Sequence, residues 1–124
     1  ITIELDVPDC RFPVDREDML ELFGNLLDNA CKWAHRHVRV SIDASVAPGE
    51  LACHIDDDGP GVAEEMRQRL GTAGLRSDES RPGHGLGLAI VGDIVAQYEG
   101  TVHYSRAPAL GGLRVSVRLP VAFH

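Results

Sequence analysis

The apolar residues of this 124-residue chain change their spacing several times, and this restricts the possible folds more than any other feature. The first seven residues alternate, with apolar side chains at odd positions, which predicts a half-buried β-strand. From residue 16 to about residue 34 the apolar residues recur at spacings of three and four, which predicts an amphipathic helix with Asp15 as its N-cap. Alternation at residues 38–43 and 51–56, with a Pro-Gly turn between them, predicts a hairpin.

The second half of the chain contains two more predicted helices and two more predicted strands. We expect a short helix over residues 63–70 and a longer one over residues 85–98, which ends near Gly100. Residues 71–84 hold glycines and Pro82 but no sustained apolar period, which predicts a mobile, functional loop. Strands at residues 101–105 and 113–119 complete five strands and three helices, which indicates an α+β sandwich of two layers.

The composition predicts one globular domain and makes several classes of partner unexpected. The net charge of −7 argues against nucleic acid, because duplex binding depends on basic contacts to phosphate. No run of 18 apolar residues occurs, so we expect no membrane span and no membrane contact. Three cysteines without CxxC spacing argue against a disulfide framework and suit a reducing cytoplasm. The chain starts and stops inside expected strands, as a domain (residues 1–124) excised from a longer protein would.

The long predicted helix has a polar face in addition to its apolar one. Asn25 and Asn29 are four residues apart and Lys32 is three further on, so the three side chains lie along one stripe. Amide oxygens can bind Mg²⁺, and a lysine can meet a phosphate as a point charge. The alternative is that both amides simply face solvent, but two mid-helix asparagines are poor helix formers.

Two glycine-containing segments are further candidates for a ligand site. In Asp56-Asp57-Asp58-Gly59-Pro60-Gly61, one carboxylate at the end of a strand could accept a hydrogen bond from an exocyclic amine such as that of adenine. A turn with solvated acids is the alternative; the spacing of a calcium-binding EF-hand is missing. Residues 83–90, His-containing and glycine-rich, open a helix and could bind an anion through free amides, or could be a packing turn. They match neither the Walker loop nor the dinucleotide fingerprint.

Taken together and in this order, the three segments resemble the nucleotide-binding domain of the ATPase superfamily that includes gyrase, MutL and bacterial sensor histidine kinases. Residues 25–32 resemble the kinase N box, residues 57–61 the G1 box and residues 83–88 the G2 box. The stretch Arg81-Pro82-Gly83-His84-Gly85 is most similar to PhoQ-type kinases, together with Tyr98-Glu99-Gly100 and Leu110-Gly111-Gly112 further along the chain. The resemblance implies the Bergerat α/β sandwich, with a mixed five-stranded sheet, three helices and a mobile ATP lid.

The resemblance also implies a role for each site residue. Asp57 would bind the adenine amino group, Asn29 with Asn25 would hold Mg²⁺ against the triphosphate of ATP, and Trp33 would pack near the base or sugar. Positive charge at the phosphates would come from Lys32 and from two lid arginines, Arg76 and Arg81. The remaining nucleotide-binding positions are Gly59, Gly61, Gly83, His84, Gly85, Leu86, Gly87 and Leu88. His84 stands where PhoQ-type kinases have a lid glutamine near the metal.

Asn25 distinguishes a kinase from a hydrolase in this superfamily. Hydrolytic members carry a glutamate at this position, which activates water, whereas an amide has no basic carboxylate. The resemblance therefore implies transfer of the γ-phosphoryl group of Mg-ATP. Positioning and charge stabilisation by Mg²⁺, Lys32, Arg76 and Arg81 would be the main catalytic contribution, with Asn25 as the fourth catalytic position of the chain. The phosphate would go to a histidine on a separate dimerisation domain and then to a response regulator.

The chain departs from the family pattern in two respects. The F-box phenylalanine is missing from residues 70–75, which alters the anchor of the lid. None of the six histidines precedes an acidic residue, so the phosphoacceptor is expected on a separate domain. The resemblance implies a homodimeric parent that is anchored in the bacterial inner membrane, with this domain in the cytoplasm. Two alternatives stay open: a serine-phosphorylating anti-sigma kinase of the same fold, and a degenerate docking module. His35 and His37 are expected to be surface residues, not metal ligands.

Overall fold

The computed structural model describes residues 1–7, 15–43, 50–61 and 85–120. These residues form five strands and two helices: β1 (Thr2–Asp6), α1 (Arg16–Trp33), β2 (His37–Asp43), β3 (Glu50–Asp57), α2 (Gly85–Gln97), β4 (Thr101–Arg106) and β5 (Leu113–Pro120). The predicted strands and the two longer helices are confirmed to within about two residues. The predicted short helix at residues 63–70 and the predicted lid at residues 71–84 lie outside the described residues.

The strands form one mixed sheet in the order β1-β2-β3-β5-β4. β1 and β2 are parallel and are connected through α1, since parallel neighbours need a crossover. The other neighbouring pairs are antiparallel. The mixed, five-stranded sheet that the family resemblance implies is therefore confirmed.

Both described helices cover one face of the sheet, and the core lies between the two layers. α1 contributes Leu22, Leu26 and Ala30, each no more than 2% exposed. The buried side chains of the opposing layer come from alternate strand positions, as expected where one sheet face is covered: Leu51, Cys53 and Ile55 on β3, and Leu113, Val115, Val117 and Leu119 on β5. Cys53 is fully buried among these apolar side chains, so it is a core residue, and burial raises the pKa of its thiol to about 12.

Hydrogen bonds at the ends of the two helices hold them side by side. The Asp15 carboxylate accepts a hydrogen bond of 3.0 Å from the Asp18 amide, which confirms the predicted N-cap. Tyr98, just after α2, donates its hydroxyl proton to Asp18 Oδ2 (2.9 Å) and accepts from the Asp15 amide (3.0 Å). The start of α1 is thereby fastened to the end of α2, which places the C-terminal half of α1 beside the beginning of α2.

The end of α2 shows why a glycine stands at position 100. The residue with left-handed backbone is Glu99 (φ 57°), while the Gly100 amide donates to the Val95 carbonyl at 2.9 Å. A side chain at Gly100 would collide with the Arg118 carbonyl oxygen of β5. Gly100 therefore follows the helix, as predicted, chiefly because the chain passes so close to the sheet there.

The prediction that β1 is half-buried is wrong, although the strand itself is confirmed. Its apolar side chains are largely exposed: Ile3 is 46% and Leu5 64% accessible. The register places Ile3 beside Val38 and Leu5 beside Val40, on the side of the sheet that carries the helices. β1 is an edge strand, however, and α1 packs mainly over β3 and β2. Alternation therefore predicted the strand correctly but could not predict how far the helical layer extends.

Candidate functional site

The polar face of α1 lies partly inside the protein. Asn29 is 5% exposed, and its amide oxygen has no hydrogen-bond partner among the residues that the structure describes. The interpretation that both asparagines face solvent therefore fails for Asn29. Asn25 is half-buried, and its side-chain nitrogen donates to the Glu21 carbonyl at 2.7 Å. The side-chain oxygen of Asn25 takes no part in this hydrogen bond. Lys32, three residues after Asn29, is exposed.

The first turn of α2 meets α1 at Asn25. A Cβ atom built on Gly87 would lie 3.5 Å from Asn25 Oδ1, an ordinary contact, so the two helices approach closely at this point. Gly85 and Gly87 belong to the first turn of α2, where backbone amides have no partner within the helix. Leu88 is 7% exposed and is part of the core. Two of the three segments singled out in the sequence are thus brought together.

Asp57 ends β3 with its side chain turned inward and only 2% of the residue exposed. Its Oδ1 accepts two backbone hydrogen bonds, from Gly59 at 2.9 Å and from Leu113 at 3.2 Å. Burial raises the pKa of the Asp57 carboxyl above its ordinary value, although these two hydrogen bonds act in the opposite direction. Because both bonds use Oδ1, the arrangement offers Oδ2 to a ligand.

Glycines surround Asp57 because there is no room for side chains. A Cβ atom on Gly112 would collide with Asp57 Oδ1 and with the Asp57 carbonyl oxygen. A Cβ atom on Gly59 would collide with the Trp33 carbonyl oxygen at the end of α1. Gly61 has a φ of 74°, a conformation that side chains disfavour. The three glycines therefore permit β3, β5 and α1 to converge on one carboxylate.

Asp58 fastens the same turn to the segment that follows α1. Its carboxylate accepts hydrogen bonds from the His35 amide (2.8 Å) and the Arg36 amide (3.1 Å), and lies 3.4 Å from His37 Nδ1. Partial burial acts to raise the pKa of this carboxyl, but hydrogen bonds from the backbone at residues 35–37 and from the His37 ring outweigh it and hold the pKa well below its ordinary value. Asp58 therefore keeps Trp33, the last residue of α1, next to the Asp57 turn.

The described residues contain no cluster of three or more His, Cys, Asp or Glu side chains that could hold a metal ion. A Mg²⁺ ion at a nucleotide site usually binds only one or two protein oxygens, because phosphate and water supply the rest. The buried Oδ1 of Asn29, which has no hydrogen-bond partner in the part of the chain that the structure describes, fits such a role, since a neutral amide oxygen is a suitable hard ligand. His35 and His37 are both exposed, as predicted, and His37 pairs with Asp58.

The structure brings together Asn25, Asn29, Trp33, Asp57, Gly59, Gly61 and the start of α2, but it does not describe every predicted site residue. Arg76, Arg81, Gly83 and His84 lie outside the described residues, and only the backbone of Gly85 and Leu86 is described. Sequence reasoning missed the Leu113 amide as a partner of Asp57. No local pattern reveals this contact, because the two residues are 56 positions apart.

Comparison with known proteins assigns the chain to a family. Residues 14–122 match the family of histidine kinase-, DNA gyrase B-, and HSP90-like ATPases. The chain is 49% identical over 114 residues to the sensor protein kinase CarS of Pseudomonas aeruginosa, covering 92% of this chain and 25% of CarS. It is 38% identical over 118 residues to the sensor protein PhoQ of Escherichia coli, covering 94% of this chain and 24% of PhoQ. The chain thus spans about a quarter of the length of these relatives.

Solved structures agree with this assignment. The mycobacterial sensor histidine kinase MprB superposes with a TM-score of 0.79 at 32% identity, covering 95% of this chain and 80% of that one. The chain belongs to the histidine kinase-like ATPase family, and it is the ATP-binding domain of the sensor histidine kinases within that family. The resemblance to PhoQ-type kinases and the Bergerat-type fold are confirmed; the anti-sigma and docking-module alternatives are not favoured. No helix in the described ranges is both long and apolar enough to cross a membrane.

Proposed function

We propose that this domain transfers the γ-phosphoryl group of Mg-ATP to a histidine on a separate dimerisation domain, for relay to a response regulator. Family membership supports a kinase or ATPase role, and the position of Asp57 is the observation that carries the proposal. A buried carboxylate with one oxygen bound to two backbone amides can accept a hydrogen bond from the adenine amine through its other oxygen. The adenine would thereby be held against the sheet, with the phosphates directed toward α2.

The polar face of α1 would serve the phosphate end of the nucleotide. Asn29 and Asn25 would supply oxygens to Mg²⁺, which would neutralise negative charge on the triphosphate. Lys32 is exposed near the end of α1, where its side chain can reach a phosphate. Backbone amides at the start of α2 can donate hydrogen bonds to a phosphate as well. Arg76 and Arg81 would complete the positive charge. Backbone amides of Gly85 and Gly87 would donate to the phosphates at the start of α2, within the G2-box residues Gly83, His84, Gly85, Leu86, Gly87 and Leu88.

Asn25 favours transfer over hydrolysis. The half-buried amide lies against the first turn of α2 and carries no basic group that could take a proton from water. Positioning and charge stabilisation would then provide most of the rate enhancement for attack by a histidine. The acceptor would lie outside these residues, in a homodimeric parent that is anchored in the bacterial inner membrane and presents this domain to the cytoplasm.

A calorimetric titration with ATP, with and without Mg²⁺, tests the nucleotide site first. We expect binding that Mg²⁺ strengthens; no binding at millimolar ATP would contradict the proposal. A transfer assay with labelled ATP and the full-length parent then tests the acceptor. Phosphohistidine is labile in acid and phosphoserine is stable, so an acid-stable product would instead indicate a serine kinase.

A further inference from the structure

An ion pair with a buried carboxylate lies directly behind Asp57, on the sheet face opposite the described helices; the arginine side chain of the pair is 27% exposed. Arg114 of β5 binds the Asp56 carboxylate of β3 with both prongs of its guanidinium group: Nε to Oδ1 at 2.7 Å and Nη2 to Oδ2 at 2.8 Å. Asp56 is 1% exposed, and the two residues are direct partners in the β3–β5 register. Such a bidentate pair fixes geometry as well as charge.

Each partner of this pair adjoins a group that holds Asp57. Asp56 precedes Asp57 in β3, and Arg114 follows Leu113, whose amide donates to Asp57 Oδ1. Because side chains alternate along a strand, the ion pair lies on one face of the sheet and the Asp57 carboxylate on the other. The ion pair therefore joins β3 and β5 one residue away from the hydrogen bond that orients the carboxylate.

We infer that Arg114, through its ion pair with Asp56, is a positioning residue that gives the Asp57 site its selectivity for adenine. The inference rests on the proposed function. Any displacement of β5 from β3 at this point lengthens the hydrogen bond from the Leu113 amide, which at 3.2 Å is already the longer of the two at Asp57. The Asp57 carboxylate would then rotate, and Oδ2 would no longer be aimed at one fixed place.

The surroundings of Asp56 make Arg114 more important than an ordinary surface arginine. Arg39 of β2 is the register partner of Asp56 on the other side, but its Nη2 is paired with Asp6 at 3.3 Å. Loss of Arg114 would leave a buried carboxylate without the cation that binds it, which is strongly unfavourable. The strand ends beside Asp57 would have to move to bring water or Arg39 to this carboxylate.

Arg118 provides a matched control on the same strand and the same face. It lies four residues beyond Arg114, and within the described ranges the carboxylate it pairs with is that of the half-exposed Glu50, at 3.8 Å. Exposed pairs of this kind contribute little. A general effect of removing an arginine from β5 would therefore be seen with both residues, whereas an effect on Asp57 would be seen with Arg114 alone.

The test compares titrations with ADP and with inosine diphosphate, whose base has a carbonyl in place of the adenine amine. We expect the unmodified chain to bind ADP more tightly than inosine diphosphate. Arg114→Met should reduce the ratio of the two affinities by at least about fivefold, and Arg114→Lys should give an intermediate ratio. Arg118→Met should keep the full preference. If Arg114→Met does not fold, Asp56→Asn combined with Arg114→Met removes both charges and carries the same expectation.

An unchanged preference in a folded Arg114→Met variant would overturn the inference. An equal loss of affinity for both nucleotides is such a result, because it leaves the ratio of the two affinities unchanged and indicates a purely structural role. Equal affinity of the unmodified chain for both nucleotides would also overturn the inference, because Asp57 would then not distinguish the adenine amine from a carbonyl group. Failure of the unmodified chain to bind ADP at all would contradict the proposed function itself.

Discussion

Replacing Asp57 by asparagine separates the binding role of this side chain from its structural role. The side-chain oxygen of asparagine can still accept hydrogen bonds from the Gly59 and Leu113 amides, so the turn keeps its two anchoring contacts. The other carboxylate oxygen becomes an NH₂ group, which is a donor. In the proposed site this donor would face the adenine amine, which is also a donor.

The expected loss follows from the charged hydrogen bond that disappears. Hydrogen bonds to charged groups contribute about 1.5–3 kcal/mol, which corresponds to a loss of about 10- to 150-fold in affinity for ADP. Stability should change in the opposite direction. Burial raises the pKa of the Asp57 carboxyl, so this group stabilises the fold at acid pH and loses that contribution as the pH rises through its folded-state pKa. Asparagine is neutral at every pH and avoids the cost of an ionised buried group.

We therefore expect Asp57→Asn to bind ADP much more weakly while unfolding at the same or a higher urea concentration at pH 7. Calorimetric titration and urea denaturation between pH 4 and pH 8 measure the two effects. Asp93→Asn, which changes an exposed carboxylate on α2, is the matched control and should alter neither. Unchanged ADP affinity would refute the adenine role, and a lower stability at pH 7 would refute the burial argument.

Three further predictions concern the neighbouring residues. Gly112→Ala should lower the free energy of unfolding by about 1–3 kcal/mol and weaken ADP binding, because the added Cβ atom collides with Asp57. A Cβ atom at Gly92 has nothing within 4 Å, so the control Gly92→Ala should not lower stability. Equal effects of the two substitutions in urea titrations would contradict the packing argument. Asn29→Ala should reduce Mg²⁺-dependent phosphoryl transfer more than ADP binding, and transfer at the normal rate would remove Asn29 from the metal site. Because the pKa of Asp58 is lowered, its stabilising effect is present above the ordinary aspartate pKa and is lost as the pH falls. Asp58→Asn should therefore make stability depend less on pH between pH 5 and pH 2, as measured by the urea midpoint. An unchanged pH dependence would disprove this.

The three consecutive acids at residues 56–58 show where sequence reasoning reached its limit. The pattern indicated that one carboxylate at the end of a strand could bind an amine, and the family resemblance selected Asp57. Strand alternation explains part of the outcome, since it turns Asp57 inward and Asp56 to the opposite face. The partners of the other two acids, Arg114 and the backbone at His35 and Arg36, are too distant in the chain for any local pattern to indicate them.

The sequence by itself determined the kinds and order of the secondary-structure elements, because hydrophobic spacing and capping residues act over a few positions. Only the tertiary structure decided which surfaces are covered and which groups meet. The exposed apolar side of β1 and the convergence of Gly59, Gly112 and Leu113 on Asp57 depend on where α1 and β5 pack. The physical reason is that burial and hydrogen bonding depend on distance in space. Local sequence patterns act over a few positions and therefore do not show how far one layer extends over another.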